Sequence, residues 1–434
     1  MITQVSDTLY TKMLHAFEEK ATMGQYIQGT VRQQAAERFK TLGFPTVKHE
    51  DWKYTNLQPI LNKELALGQT VEMVVNSSDL TGFEIPGMDA YRIVLINGRY
   101  DASLSDAIQV PGITVTDITD VYEDELFTTH FAQYADLTDN PFVALNTALV
   151  DAGVYIHVAK NTVLDKPIHL LRLVATNEPA FTLTRNLFIM DAFSEVEVVE
   201  SYIALDGVAE SVNNQVTEIS LAENAKMQHY MVQTSAENAS YISHIEVHQR
   251  RHSLYNNYNS NFPGSAFVRN DINVRMDDPK VESHLYGVVL LDKKQFVDNH
   301  TIVDHMLPHG ESYEWYKTMT QDESTAVFNG KIFVRLDAQK TNAFQQNNNI
   351  MLGAKSSVYS KPQLEIYADD VKCSHGCTIG QFDEEALFYL RARGIGEEQA
   401  RILLVKAFAF DVTSRFEKET IRKYVENLIE KSLD

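Results

Sequence analysis

Between about Gly153 and Asp370 the chain alternates short runs rich in Val, Ile, Tyr, Phe and Thr with polar turns. No helical periodicity persists there, so the pattern predicts strands. The turns recur in two series. One contains Ala222-Glu223-Asn224, Gln249-Arg250, Asp277-Asp278-Pro279, Pro308-His309-Gly310 and Asp337-Ala338-Gln339. The other, offset by half a step, contains Ala236-Glu237-Asn238, Pro263-Gly264, Asp292-Lys293-Lys294, Asp322-Glu323 and Gly353-Ala354. Within each series the step is roughly 26–31 residues, which lies in the range of stacked solenoid units. This predicts a β-solenoid in which each coil gives two principal strands and buries its inward side chains against the coils above and below. A β-sandwich or barrel also gives many short strands, but the nearly constant step favours the solenoid. Asn347-Asn348-Asn349 suits either a stacked asparagine ladder or a polar turn.

The flanks read differently. Leu9 to Leu42 is rich in Ala, Glu, Gln, Lys and Met and predicts helices, stopped by Gly43-Phe44-Pro45. A polar, aromatic segment follows, then an extended piece, Tyr91 to Ile96, ending at the turn pair Asn97-Gly98. Val121 to Leu149 is helical or mixed. Beyond Cys377, Asp383 can cap a helix that ends at Gly394. A second helix fits Glu397 to about Ala409, with Ala400, Leu403, Leu404 and Ala407 on one face. A third fits Arg415 to Lys431, with an apolar stripe of Ile421, Tyr424, Val425, Leu428 and Ile429. The fold expected is mainly β: an N-terminal helical and mixed region over 1–152, a solenoid core over 153–370 and a C-terminal helical domain over 371–434. The amphipathic C-terminal helices either pack only on the chain itself or also carry a protein–protein face.

Charge narrows the partners. The formal net charge is −21, and an acidic surface repels phosphate backbones, so nucleic acid is not expected. The opening Met1 to Asp7 has no basic region followed by an apolar run, so no signal peptide is expected. The most apolar run, Ile402 to Phe410, is interrupted by Lys406 and is too short to span a bilayer. The expectation is a cytoplasmic protein without a membrane partner.

The two cysteines, Cys373 and Cys377, exclude a secreted disulfide framework. They also exclude a four-thiolate zinc site or a cluster held by this chain's thiolates alone. Any metal must borrow ligands from histidine, carboxylate or another chain. The densest group of soft donors is Cys373-Ser374-His375-Gly376-Cys377. In an extended backbone, positions two apart share a side, so Cys373 and His375 converge, a sensible partial site for iron or zinc. Gly376 lets the chain bend, which leaves the direction of Cys377 open. The alternative is a pair of small buried cysteines beside a turn. His300, His305 and His309 cluster in sequence, but the first two lie on opposite strand faces and read as turn or surface residues. No P-loop, dinucleotide-binding glycine pattern or Gly-x-Ser-x-Gly elbow occurs, so no self-sufficient active site and no enzyme is expected.

Several stretches together resemble the SufB/SufD family of the SUF iron–sulfur cluster assembly system. The most specific is Lys361-Pro362-Gln363-Leu364-Glu365-Ile366-Tyr367-Ala368-Asp369-Asp370-Val371-Lys372-Cys373-Ser374-His375-Gly376, followed by Leu387-Phe388-Tyr389-Leu390-Arg391-Ala392-Arg393-Gly394-Ile395. Asp298-Asn299-His300-Thr301, Val327-Phe328-Asn329-Gly330-Lys331-Ile332 and Glu50-Asp51-Trp52-Lys53-Tyr54-Thr55 also fit. The resemblance covers nearly the whole chain, and the poverty in cysteine favours its SufD branch. It implies a right-handed parallel β-helix with helical regions at both ends. It also implies a non-catalytic scaffold that pairs with a SufB-like paralogue through the β-helices and holds a SufC-like ATPase on the C-terminal helices. A homodimer is the alternative for the chain in isolation. The resemblance associates Cys373 and His375 with the subunit boundary, as metal donors to a transient iron–sulfur cluster or iron shared with the partner; at Cys377 the family pattern has a small residue. Two other classes compete: a β-helix carbohydrate-active enzyme, and a purely structural interaction protein in which Cys373 and His375 merely pack.

Overall fold

A computed structural model describes residues 7–22, 29–68 and 73–433 of the chain. The helices expected over Leu9 to Leu42 are Asp7–Thr22 and Gly29–Leu42; residues 23–28 between them, and residues 1–6 at the start, lie outside the described residues.

Coil after coil, the chain lays one strand in each of two ten-stranded sheets. The strands run from Val154–Val158 and Ile168–Val174 at one end to Ser357–Ile366 and Lys372–Gln381 at the other, and successive coils pair in parallel. Registers set the step directly: Tyr241 pairs with Val268, 27 residues on, and Thr325 with Ser357, 32 residues on. The molecule is a parallel β-solenoid of about eight turns. Strand pairing continues through Gln381, and the C-terminal helices begin at Glu384.

The turns that mark the step in the sequence have a shared physical basis. Asn224, His252, Lys280, His309 and Lys340 each have φ between 58° and 63°. A left-handed residue other than glycine costs about 1–2 kcal/mol. Here each such residue donates its N–H to a carbonyl of the next coil, as Asn224 does to Arg251 (3.0 Å) and His309 to Gln339 (2.9 Å). The corner strain is therefore offset by inter-coil hydrogen bonds, which fixes one corner per coil.

The interior mixes apolar residues with hydrogen-bonded polar ones. Glu200 is fully buried; it accepts from Arg172 Nε (2.5 Å), Tyr202 (2.8 Å) and His229 Nε2 (2.9 Å). Burial works against its charge, yet Arg172 and His229 hold its pKa well below the carboxylate range. Farther along, Asn299 accepts from Asn259 (2.8 Å) and Asn270 (2.9 Å) and donates to Asn261 (3.0 Å). Asn347 to Asn349 lie inside strand Asn342–Met351, not in a turn, and Asn347 and Asn349 are buried. His305, read from sequence as a turn or surface residue, is also buried. It bonds Ser312 Oγ at 2.9 Å, and burial lowers its pKa to about 3.

The two ends of the solenoid differ. At the N-terminal end, Ile113–Asp117 pairs antiparallel with Val154–Val158, and the hairpin Tyr91–Ile96/Arg99–Asp101 covers Ile168–Val174. At the C-terminal end, Ser357–Ile366 and Lys372–Gln381 pair on one side only among the described residues. Helix Pro141–Leu149 packs on the outer face of the first sheet through Phe142, Leu145 and Leu149.

Helices Glu397–Thr413 and Glu419–Lys431 pack on the outer face of the second sheet, against Tyr230, Tyr258, Val288 and Met319. The buried face of Glu397–Thr413 is Ala400, Val405, Ala409 and Val412. Leu403, expected to face inward, is 44% exposed. Apolar and charged residues are spread around all sides of that helix, so periodicity alone could not choose its face.

Candidate functional site

Strand Lys372–Gln381 carries Cys373, His375 and Cys377 at alternate positions, in register with Ala343, Gln345 and Asn347. Those three partners are buried in the interior, so all three donors share the inner face of the last strand. Gly376 does not bend the chain: the ladder runs unbroken past it. Cys373 is half-buried against the interior apolar cluster, and burial raises its thiol pKa. His375 and Cys377 are exposed because no further coil among the described residues covers them. Cys377 Sγ donates to Ser360 Oγ at 3.1 Å, and Ser360 donates to Asn347 Oδ1 at 2.7 Å, so this thiol links the two edge strands. A half-buried thiol and an exposed imidazole two residues apart on one face are chemically suited to iron. Among the described residues no group of three or more His, Cys, Asp or Glu is placed to hold a metal ion.

The last coils are braced from outside by the segment Glu50-Asp51-Trp52-Lys53-Tyr54-Thr55. The Arg269 guanidinium lies 3.8 Å from the Trp52 ring centroid. It donates to the Asp51 carbonyl (2.8 Å) and to Asp298 Oδ2 (2.7 Å), while the Thr55 hydroxyl bonds the same carboxylate. Burial opposes the Asp298 charge, but His300 and Arg269 keep its pKa below the usual range. Tyr54 stacks on Tyr359 of the edge strand at 4.5 Å, and Lys361 pairs with Glu50. Stretches far apart in sequence thus meet at one place, and His300 belongs to this clamp. Sequence reasoning singled out these stretches without linking them, because their contacts are long-range.

Sequence reasoning missed Glu314. It lies in the same interior column as His375, with Gln345 between them. Burial, with no cation beside it among the described residues, pushes its carboxyl up to about 7 from an ordinary 4.5. The folded value exceeds the unfolded one, so its stabilising contribution is complete below pH 4.5 and lost as pH rises through about 7. Glu314→Gln, neutral throughout, is expected to match the parent at pH 5 and to exceed it by about 2–3 kcal/mol at pH 8.5. Chemical denaturation at both pH values checks this, and an equal difference at both would contradict it.

The fold is that of a parallel β-solenoid protein, covered at one end and presenting a thiol and an imidazole at the open edge of the other. The family model described as "SUF system FeS cluster assembly, SufBD core domain" matches residues 173–408, and that of the "SufBD protein N-terminal region" matches 4–170. A SufBD family iron–sulfur cluster assembly protein of Synechocystis is 30% identical, over 94% of this chain and 92% of its own. The iron–sulfur cluster assembly protein SufD of Escherichia coli is 29% identical, over 95% and 93%. SufD of Bacillus subtilis is 24% identical, over 98% and 100%. The chain belongs to the SufB/SufD family of iron–sulfur cluster assembly proteins. Among the described residues no helix is long and apolar enough to cross a membrane.

Proposed function

We propose that the chain is a non-catalytic scaffold subunit, acting in the cytoplasm, that pairs with a SufB-like paralogue across the open end of its solenoid. The carrying observation is that end: two one-sided strands with Cys373 and His375 on the inner face of one of them. Solenoids need caps, and edge strands left open are templates for another chain. Lys361, Pro362 and Lys372 on these strands oppose indiscriminate pairing, as edge lysine and proline do. In this reading the iron or cluster is cargo, held between this chain's donors and the partner's, since one thiol and one imidazole cannot hold a cluster alone. Family membership argues against the carbohydrate-active alternative.

The same reading gives the C-terminal helices to a SufC-like ATPase. Phe388 and Tyr389 on helix Glu384–Ala392 are 74% and 58% exposed, and Phe410 on the next helix is 57% exposed. Removing the helices would uncover the second sheet, so point substitutions are the cleaner probe. Phe388→Asp with Tyr389→Ala is expected to reduce ATPase capture at least about tenfold with an unchanged melting temperature; capture at full strength would place the contact elsewhere. The function itself is tested by coexpressing the chain with the paralogue and the ATPase. Recovery of one complex whose iron and sulfide content depends on this chain supports the scaffold; equal cluster build-up without it would overturn the proposal.

A further inference from the structure

His375 has an unusual neighbour. Its in-register partner one coil below, Gln345, is 2% exposed and faces the interior. The amide nitrogen of Gln345 donates to Glu314 Oε2 at 2.6 Å; once Glu314 is ionised, only the NH2 end can serve it, which fixes the amide's direction. The carbonyl oxygen Oε1 is then left buried without a hydrogen-bond partner among the described residues. Such an acceptor costs about 1–3 kcal/mol if it stays unpaired. Room for the amide is made by Gly330 on the opposite sheet, where a Cβ would lie 2.2 Å from Gln345 Nε2. The His375 side chain, for its part, makes no hydrogen bond among the described residues. In-register neighbours of adjacent strands are about 4.8 Å apart, and His375 is exposed at the end of the solenoid.

We propose that Gln345 is a positioning residue for His375: its carbonyl oxygen accepts the ring N–H, selects one imidazole tautomer, and leaves the other ring nitrogen's lone pair directed over the open end. The inference rests on the reading of His375 as a donor. A histidine ligand is commonly fixed in this way, its second nitrogen tied to an acceptor that sets tautomer and ring orientation. Glu314 anchors the amide from below, and Gly330 keeps the space it occupies. A glycine and a glutamine in two different stretches thereby acquire one role.

The test uses the full chain alone, without metal or partner, carrying ring-15N histidine at pH 8, where Glu314 is ionised. The His375 signals are assigned by their loss in His375→Ala. One tautomer is expected in about tenfold excess over the other. Gln345→Met, of similar length but without an acceptor, should return the ratio to that of a free histidine, and Gly330→Ala should do the same by displacing the amide. A free-histidine ratio in the parent, or a ratio unmoved by Gln345→Met, would overturn the proposal. Because no cluster enters this readout, a positive result alongside normal cluster build-up in His375→Ala would reject the donor role while leaving the positioning intact.

Discussion

Alanine at Cys373 or at His375 is expected to cut the cluster content of the assembled complex about tenfold or more, while the complex still forms. His375 is exposed and Cys373 half-buried at an uncovered end, so neither substitution opens a closed core. Each should move stability by less than about 1 kcal/mol, or about 2 °C in a chain of this size. Cys377→Ala should be milder. Its exposed thiol already donates to Ser360. A packing role predicts the opposite ordering: melting temperature falls first, and cluster content only in proportion. Measuring both on the same mutant complexes separates the two accounts, and an unimpaired Cys373→Ala/His375→Ala double mutant would remove both residues from the mechanism.

The largest stability effect is expected at Glu218. This carboxylate is fully buried on the outward side of strand Ser211–Leu221. It accepts three backbone N–H groups, from Ala132 (2.8 Å), Tyr134 (2.9 Å) and Ala135 (3.0 Å). Arg185 Nη2 lies 2.7 Å away, its side chain equally buried, and Arg185 Nη1 donates to Thr147 at 2.9 Å. One group thus ties the loop around Ala132 and, through Arg185, helix Pro141–Leu149 to the first sheet. Glu218→Ala leaves a buried guanidinium and three N–H groups unpaired, a loss of about 3–5 kcal/mol. Glu218→Gln, which still offers a carbonyl, should lose less. Urea denaturation of the three proteins checks this; a loss below about 1 kcal/mol for alanine would contradict the assignment.

The legible parts of the fold were those with local causes. Turn spacing could be read because each corner is a short polar break between β-branched runs, and Asn224 and His309 at those corners adopt the left-handed conformation. Alternation along an extended strand was enough to put Cys373 and His375 on one side. It could not say which side was the interior, nor that Cys377 joins them, because both depend on the coil beneath: Ala343, Gln345 and Asn347. The Glu218–Arg185 pair, the Arg269–Trp52 clamp and the Glu314–Gln345 contact leave no local signature, since their partners lie from 31 to 217 residues apart. Long helices with apolar residues on every side, such as Glu397–Thr413, hide which face is covered until a sheet is set against them.

The central claim, that the open end is where a partner chain joins, is tested most directly by amide hydrogen exchange. The chain is measured alone and after mixing with the SufB-like paralogue. The account predicts new protection concentrated in Ser357–Ile366 and Lys372–Gln381, whose outer hydrogen-bonding edges are unpaired in the single chain. The antiparallel cap at the other end should be unchanged. Protection that spares both edge strands and appears on the N-terminal helices or the capped end would contradict it.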